Sequence, residues 1–159
     1  VTLDSLTGSN NYFEDFTVGD VYRHARGKTV TEMDNVLITN LVMNTAQGHF
    51  NEDSMARTEF GQRITFGGIT AAMVIGLASQ DTGENAIAEL GLDGITFRSP
   101  VFHGDTLYAF TEVRAKENGD RPDGGIVEFA HWGVNQRDEV VFEGVRRVLV
   151  RRRGAAERR

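Results

Sequence analysis

The apolar positions change their period once along the chain, from a mainly helical spacing before residue 83 to a strand-like alternation after residue 86. At the N-terminal end, "NYFEDFTVGDVYRHARGKTV" carries aromatics and a Gly-Asp turn and then suits a short strand over residues 21–30. Thr31 reads as a helix N-cap: a hydroxyl residue is followed by Glu32 and Asp34, whose charges favour the positive end of a helix dipole. Behind it Val36, Leu37, Asn40, Leu41 and Met43 return at helical spacing, which predicts an amphipathic helix over 32–43. Asn44 to Phe50 is too rich in small and polar residues to continue that helix and is read as a loop. Asn51 can cap a short turn through Glu52, Asp53, Met55 and Ala56 before Gly61 breaks the pattern. Residues 68–79 are apolar on nearly every face, the mark of a buried helix. Ala71, Ala72, Gly76 and Ala78 would let it approach a sheet closely, and Gly83 is its stop.

Four strands are predicted after residue 86, in "AIAELGLDGITFRSPV", "DTLYAFTEVRAKE", "GIVEFAHWGVN" and "EVVFEGVRRVLVRR", with turn signals at "FHGD", "NGDRPDGG" and "QRD". Leu107, Ala109, Thr111 and Val113 alternate with Thr106, Tyr108, Phe110 and Glu112, so two faces of unequal polarity are expected in a meander or something close to it. A long buried helix with a curved antiparallel sheet gives an α+β architecture in which the sheet wraps the helix. That arrangement is a hot-dog fold, although the same pattern also suits other helix-on-sheet folds such as the cone-shaped ones. One domain over residues 1–150 with a basic tail over 151–159 is the expected division.

Composition then removes whole classes of function. The 159 residues include no cysteine, which excludes disulfides, thiolate zinc sites and cysteine nucleophiles and suits a reducing cytoplasm; no metal is expected. The longest nearly apolar stretch, Ala71 to Ala78, falls far short of the roughly 20 residues of a membrane span, so no membrane partner is expected. A formal net charge of −6 argues against general nucleic-acid affinity. Seven arginines nevertheless fall in the last fourteen residues, at 146, 147, 151, 152, 153, 158 and 159. They read either as a solvated strand edge and tail or as a cradle for a phosphorylated ligand.

Among the four histidines, His24 lies between arginine neighbours and reads as a surface residue, His103 as a polar turn residue beside Gly104, and His131 as a packed, hydrogen-bonded imidazole. His49 keeps different company. It follows the predicted helix break, with Asn44 before it and Glu52, Asp53 and Glu59 after it, as a partly buried base with polar partners would. Gly67-Gly68 then open the central helix, where an unobstructed backbone N–H can receive a carbonyl oxygen as it becomes an enolate. Close packing of helix on sheet explains the same glycines equally well.

Three segments, "TVTEMDNVLITNLVMNTAQGHFNEDSMARTEFGQRITFGG", "SPVFHGDTLYAFTEVRAKE" and "DGGIVEFAHWGVNQRDEVVFEGVRRVLV", resemble the MaoC-type dehydratases, the (R)-specific enoyl-CoA hydratases of hot-dog fold. Within them the "TEFG" and "FHGDTLY" segments are most similar to the branch holding mesaconyl-CoA and itaconyl-CoA hydratases. The hydratase motif of that family reads Asp-x-Asn-Pro-x-His, and its Asp and His activate water. Here His49 matches the His, Asn44 stands in place of the Asp, and Ala46-Gln47 replace Asn-Pro. The family's oxyanion donor maps onto Gly67 N–H, with Gly68 its neighbour.

The resemblance implies a hydro-lyase that adds water to a short, branched or dicarboxylic 2-enoyl-CoA, with no cofactor beyond the coenzyme A of the substrate. His49 would be its base, Asn44 would orient the water, and Gly67 N–H would hold the enolate, while an acid such as Glu52 or Asp53 could replace the missing carboxylate. Arg98, Arg151 and Arg152 are candidates for the coenzyme A phosphates, and Arg57 or Arg63 for an acyl carboxylate. Pairing into a homodimer, or a dimer of dimers, is implied as well. A hot-dog thioesterase and a non-catalytic acyl-CoA-binding subunit are the alternatives.

Overall fold

The computed structural model describes residues 2–5 and 11–155. Among the described residues, six strands and three α-helices follow one another as β1 (Thr2–Ser5), β2 (Val21–Thr29), α1 (Glu32–Leu41), α2 (Glu52–Met55), α3 (Gly67–Thr82), β3 (Ala86–Phe97), β4 (Thr106–Glu117), β5 (Gly124–Val134) and β6 (Val140–Arg151). They form one sheet in the order β1-β2-β4-β5-β6-β3, antiparallel except where β1 runs parallel to β2. Only β4, β5 and β6 form a meander. The chain leaves α3 at the far edge of the sheet as β3 beside β6, and β2 lies beside β4, so the expected meander, or something close to it, holds for β4–β6 and β3 departs from it. The sheet packs around α3 through β2, β4, β5 and β6, which is the hot-dog arrangement.

Strand alternation decides what the sheet turns toward the helix. Leu107, Ala109, Thr111 and Val113 are fully buried, while Thr106, Tyr108, Phe110 and Glu112 keep part of their surface exposed. One apolar cluster gathers Phe13, Phe16, Tyr22, Val113, Val127, Phe129, Val148 and Val150. A second joins Val30, Leu107, Ala109, Val141 and Phe142 to Val74 of α3, whose complete burial contributes about 1.5–3 kcal/mol. The close approach of helix and sheet comes from the sheet side. Gly133 of β5 faces Val74 so tightly that a Cβ there would sit inside van der Waals contact, whereas Gly76 of α3 faces open space. Gly76 therefore does not perform the packing expected of it, and α3 buries one face, Ile69, Thr70, Val74, Ala78, Asp81 and Thr82, rather than every face.

The strand positions between the two clusters carry polar side chains. His24 Nδ1 bonds Asp81 Oδ2 at 2.6 Å, His24 Nε2 and Thr111 Oγ1 are 2.7 Å apart, and Thr111 Oγ1 meets His131 Nδ1 at 2.8 Å. His24 is thus a core residue, only 2% exposed, and not the surface residue expected from its arginine neighbours. The signal available in the sequence was Asp81, an acid in the last turn of α3 where the helix dipole disfavours it. His131 is the hydrogen-bonded imidazole expected. Burial, reinforced by the Arg146 guanidinium and the neighbouring His24 ring, pushes its pKa down to about 3.

Helix α1 inverts the predicted amphipathicity. It buries Asn35 and Thr39 and turns Met33, Leu37 and Leu41 outward at 74%, 62% and 78% exposure. The cap is as expected: Thr31 Oγ1 accepts from Asp34 N–H, and the Asp34 carboxylate accepts from Thr31 N–H. The helix ends at Leu41, two residues earlier than predicted. Met43 takes the left-handed conformation (φ 57°), with Met43 N–H donating to Asn40 and Asn44 N–H to Thr39, a Schellman termination built without glycine.

Candidate active site

The Schellman turn delivers the chain to the loop before α2, where Asn44 Oδ1 accepts from Ala46 N–H at 3.1 Å and a single helical turn, Gln47–His49, follows. Asn51 then caps α2 by accepting from Ser54 N–H, as its sequence position implied. His49 is 8% exposed and its ring lies 5.7 Å from that of Phe66. Its Nδ1 is 2.9 Å from the carbonyl oxygen of Ile64. A carbonyl only accepts, so Nδ1 carries the hydrogen and Nε2 of the neutral ring keeps its lone pair. That is the tautomer a general base requires.

Ile64 belongs to the segment that enters α3. Thr65 N–H donates to Val101 at 2.8 Å and Phe66 N–H to Asn35 Oδ1 at 3.1 Å, so this entry is tied to both sides of the fold. Gly67 is the first residue of α3, where a main-chain N–H has no carbonyl of its own helix to bond. His49 and Gly67 line one cavity of about 370 Å³, together with Phe60, Ile64, Thr65, Thr70 and the Phe97–Val101 segment. The two residues singled out eighteen positions apart in the sequence are therefore brought to a common space. Gly68 does not border it, because its Cα faces the Phe66 ring, which a Cβ would approach to 2.5 Å.

The remaining candidates divide by the same criterion. Asn44 is half-buried but does not border the cavity, and with its oxygen engaged by Ala46 the geometry supports a loop-shaping role. Glu52 bonds Arg63, and Asp53 is exposed and bonds Arg57, so neither acid stands beside His49 in the cavity. Arg57 is 68% exposed. Arg63, only 15% exposed, is clasped by Glu32 of α1 and Glu52 of α2 and holds those helices together instead of facing the cavity. Arg98 does border the cavity, and Glu143 accepts from it at 2.6 Å. The basic end of the chain is largely occupied: Arg146 pairs with Glu89, Arg147 with Glu117, Arg152 with Glu14 while covering the Phe13 ring, and Arg153 with Asp15. Arg151 is the last residue of β6, and Arg158 and Arg159 lie outside the described residues.

Sequence reasoning missed Asn35 and the cavity hydroxyls. Thr65 is 6% exposed, and its Oγ1 is buried without a partner among the described residues. Asn35 is wholly buried. A polar residue at the core position of a helix was the available clue, obscured by apolar neighbours that turned out to face solvent. Among the described residues no cluster of His, Asp and Glu has the arrangement of a metal site, and no helix is long and apolar enough to cross a membrane.

Comparison with known proteins places this geometry in context. Residues 4–152 match the family of mesaconyl-CoA hydratases. The chain belongs to that family. It is 34% identical over 156 residues to a beta-methylmalyl-CoA dehydratase of Chloroflexus aurantiacus, covering 95% of this chain and 43% of that protein. It is 33% identical over 145 residues to an (R)-specific enoyl-CoA hydratase of Rhodospirillum rubrum, covering 91% of this chain and 94% of that one. A solved Mycobacterium tuberculosis protein with a double hot-dog fold superposes with a TM-score of 0.82 at 22% identity, over 92% of this chain and 46% of its own, which shows the fold. The chain thus spans less than half the length of the mesaconyl-CoA hydratase and beta-methylmalyl-CoA dehydratase relatives and nearly the whole of the Rhodospirillum one.

Proposed function

We propose that this member of the family hydrates a short, branched or dicarboxylic 2-enoyl-CoA such as mesaconyl-CoA, reversibly and without a further cofactor. The observation that carries this reading is the shared cavity: His49, whose Nδ1 is engaged by the Ile64 carbonyl, and Gly67, the first residue of α3, line the same space. In the hydration direction, Nε2 of His49 takes a proton as the water oxygen bonds to the β-carbon. The electron pair of the double bond moves onto the thioester carbonyl, and Gly67 N–H stabilises the resulting enolate. The imidazolium then holds the proton that the α-carbon receives, so one water is added and the ring returns to its starting state. Acid–base help of this kind is worth roughly 10²–10⁴-fold in rate. Arg98, at the rim of the cavity, is the cation placed to meet either the phosphates of coenzyme A or a carboxylate on the acyl group. A reducing cytoplasm, which a chain without cysteine suits, is the setting proposed.

The unit is proposed to act paired, with a second copy or with a second hot-dog unit. Among the described residues the sheet ends at β3, which has a neighbour on one side only and exposes Leu90, Leu92, Ile95 and Phe97 at 41–50%. A long apolar edge strand left uncovered invites association.

The test is loss of enone-thioester absorbance with a panel of enoyl-CoAs, mesaconyl-CoA included, for the wild type and for His49→Ala. Turnover by the wild type with a roughly 10²-fold or greater fall in the variant supports the reading. An unimpaired His49→Ala enzyme overturns it. Release of free CoA thiol would instead select a thioesterase, and tight binding with no turnover a non-catalytic subunit.

A further inference from the structure

Asn35 reaches both halves of the candidate site from the buried face of α1. Its Nδ2 donates to the carbonyl oxygen of His49 at 3.3 Å and to Nε2 of His103 at 3.0 Å, and its Oδ1 accepts from Phe66 N–H at 3.1 Å. The orientation of this amide follows from its partners, since a main-chain N–H only donates and a main-chain carbonyl only accepts. Reversing the amide would set donor against donor at Phe66 and acceptor against acceptor at His49. With the orientation fixed, Nδ2 can bond His103 only if His103 Nε2 carries no hydrogen.

We propose that Asn35 is the positioning residue of this site, holding the His49 main chain and the start of α3 at a set separation, and that unprotonated His103 completes the clamp. The proposal rests on the hydratase reading for its kinetic consequence and on the hydrogen-bond geometry alone for the clamp. Protonating His103 would turn a hydrogen toward the Nδ2 donors. The amide would then have to release one of its bonds, and the His49 carbonyl and Phe66 N–H, one residue from Gly67, would no longer be held by the same side chain. The charged groups around His103 act in both directions: the Arg63 guanidinium opposes its protonation, and Glu32 and Glu52 favour it. Burial is the largest influence and, with Arg63, holds its pKa below the usual histidine value. The clamp is therefore intact at neutral pH.

The measurement is an NMR pH titration of the wild type followed by kinetics of Asn35→Leu, Asn35→Asp and His103→Gln. In the wild type, the His103 Nε2 resonance is expected to be that of an unprotonated acceptor, and the Phe66 and Gly67 amides should shift with the same midpoint as His103. Asn35→Asp places an oxygen opposite His103 Nε2 and should raise the His103 midpoint. Asn35→Leu should lower kcat by about 10²-fold with a much smaller change in KM, the scale expected of misplaced catalytic groups. His103→Gln, whose Oε1 can still accept from Nδ2, should lower kcat far less than Asn35→Leu does and should remove the His103 ionisation from the acid limb of the pH profile. Amides at 66 and 67 that ignore the His103 titration, or an Asn35→Leu enzyme with wild-type kcat, would overturn the clamp. A wild type that hydrates no enoyl-CoA would remove the function and leave the titration as the test of the clamp.

Discussion

Gly67→Pro isolates one hydrogen from everything else in the site. Proline suits the first position of a helix, where its ring fixes a helical φ and the N–H it lacks has no intrahelical partner. The residue before a proline must be extended, and Phe66 already is, at φ −58° and ψ 127°. No native hydrogen bond of the helix is lost, and the stiffer unfolded chain contributes about 0.4–1 kcal/mol in favour of folding. Added carbon atoms at this position approach the Phe97 ring, 3.1 Å from an ideal Cβ, but Phe97 is half exposed and free to yield. What the substitution does remove is the proposed donor to the enolate. One such donor is worth about 2.7–4 kcal/mol, which at about 1.36 kcal/mol per tenfold is a fall of 10²–10³ in kcat. Gly67→Ala keeps the N–H and meets the same ring, so it serves as the steric control and should stay within about threefold of the wild type, ~0.6 kcal/mol. The assay is initial-rate hydration of an enoyl-CoA at saturating substrate, with Tm measured on each variant. A proline variant with unchanged Tm and wild-type kcat would refute the assignment of the oxyanion donor to Gly67.

Three further outcomes follow from the same geometry. Stability should fall as pH drops from about 6.5 toward 3, because His131 stays neutral in the fold while the unfolded chain takes up a proton, so the unfolded state binds more protons across that window. Urea midpoints at several pH values should show this slope, up to about 1.4 kcal/mol per pH unit, and His131→Gln, which does not titrate, should flatten it. Gly133→Ala should cost about 1–3 kcal/mol by overpacking against Val74, with Val74→Ala in the same chain recovering part of the loss in a double-mutant cycle read by Tm. Arg98→Gln should raise KM for a dicarboxylic enoyl-CoA, and equal KM increases for crotonyl-CoA and mesaconyl-CoA would place Arg98 on the coenzyme A end instead.

Elements set by local signals were legible in the chain itself. The Thr31 and Asn51 caps, the stop at Gly83 and the alternation of β4 each depend on residues within a few positions of one another, and each stands as read. His49 and Gly67 could be named because their neighbours mark a loop and a helix start, and because the segments around them resemble a known family. Tertiary structure alone decided which face of each element is inward. The apolar residues of α1 face outward, and Asn35 faces inward, because the groove beneath the helix offers a carbonyl, an amide and an imidazole to bond rather than an apolar surface. His24 is buried because Asp81 and Thr111, 57 and 87 residues away, converge on it. Arg63 is withdrawn from the cavity by two glutamates from separate helices, and the sheet order places β3 beyond β6, not next to β4. Local propensity and period act over one turn or one hairpin. A polar side chain's partner is chosen by the packing of the whole chain, and so the residues that hold the site together were legible only in three dimensions.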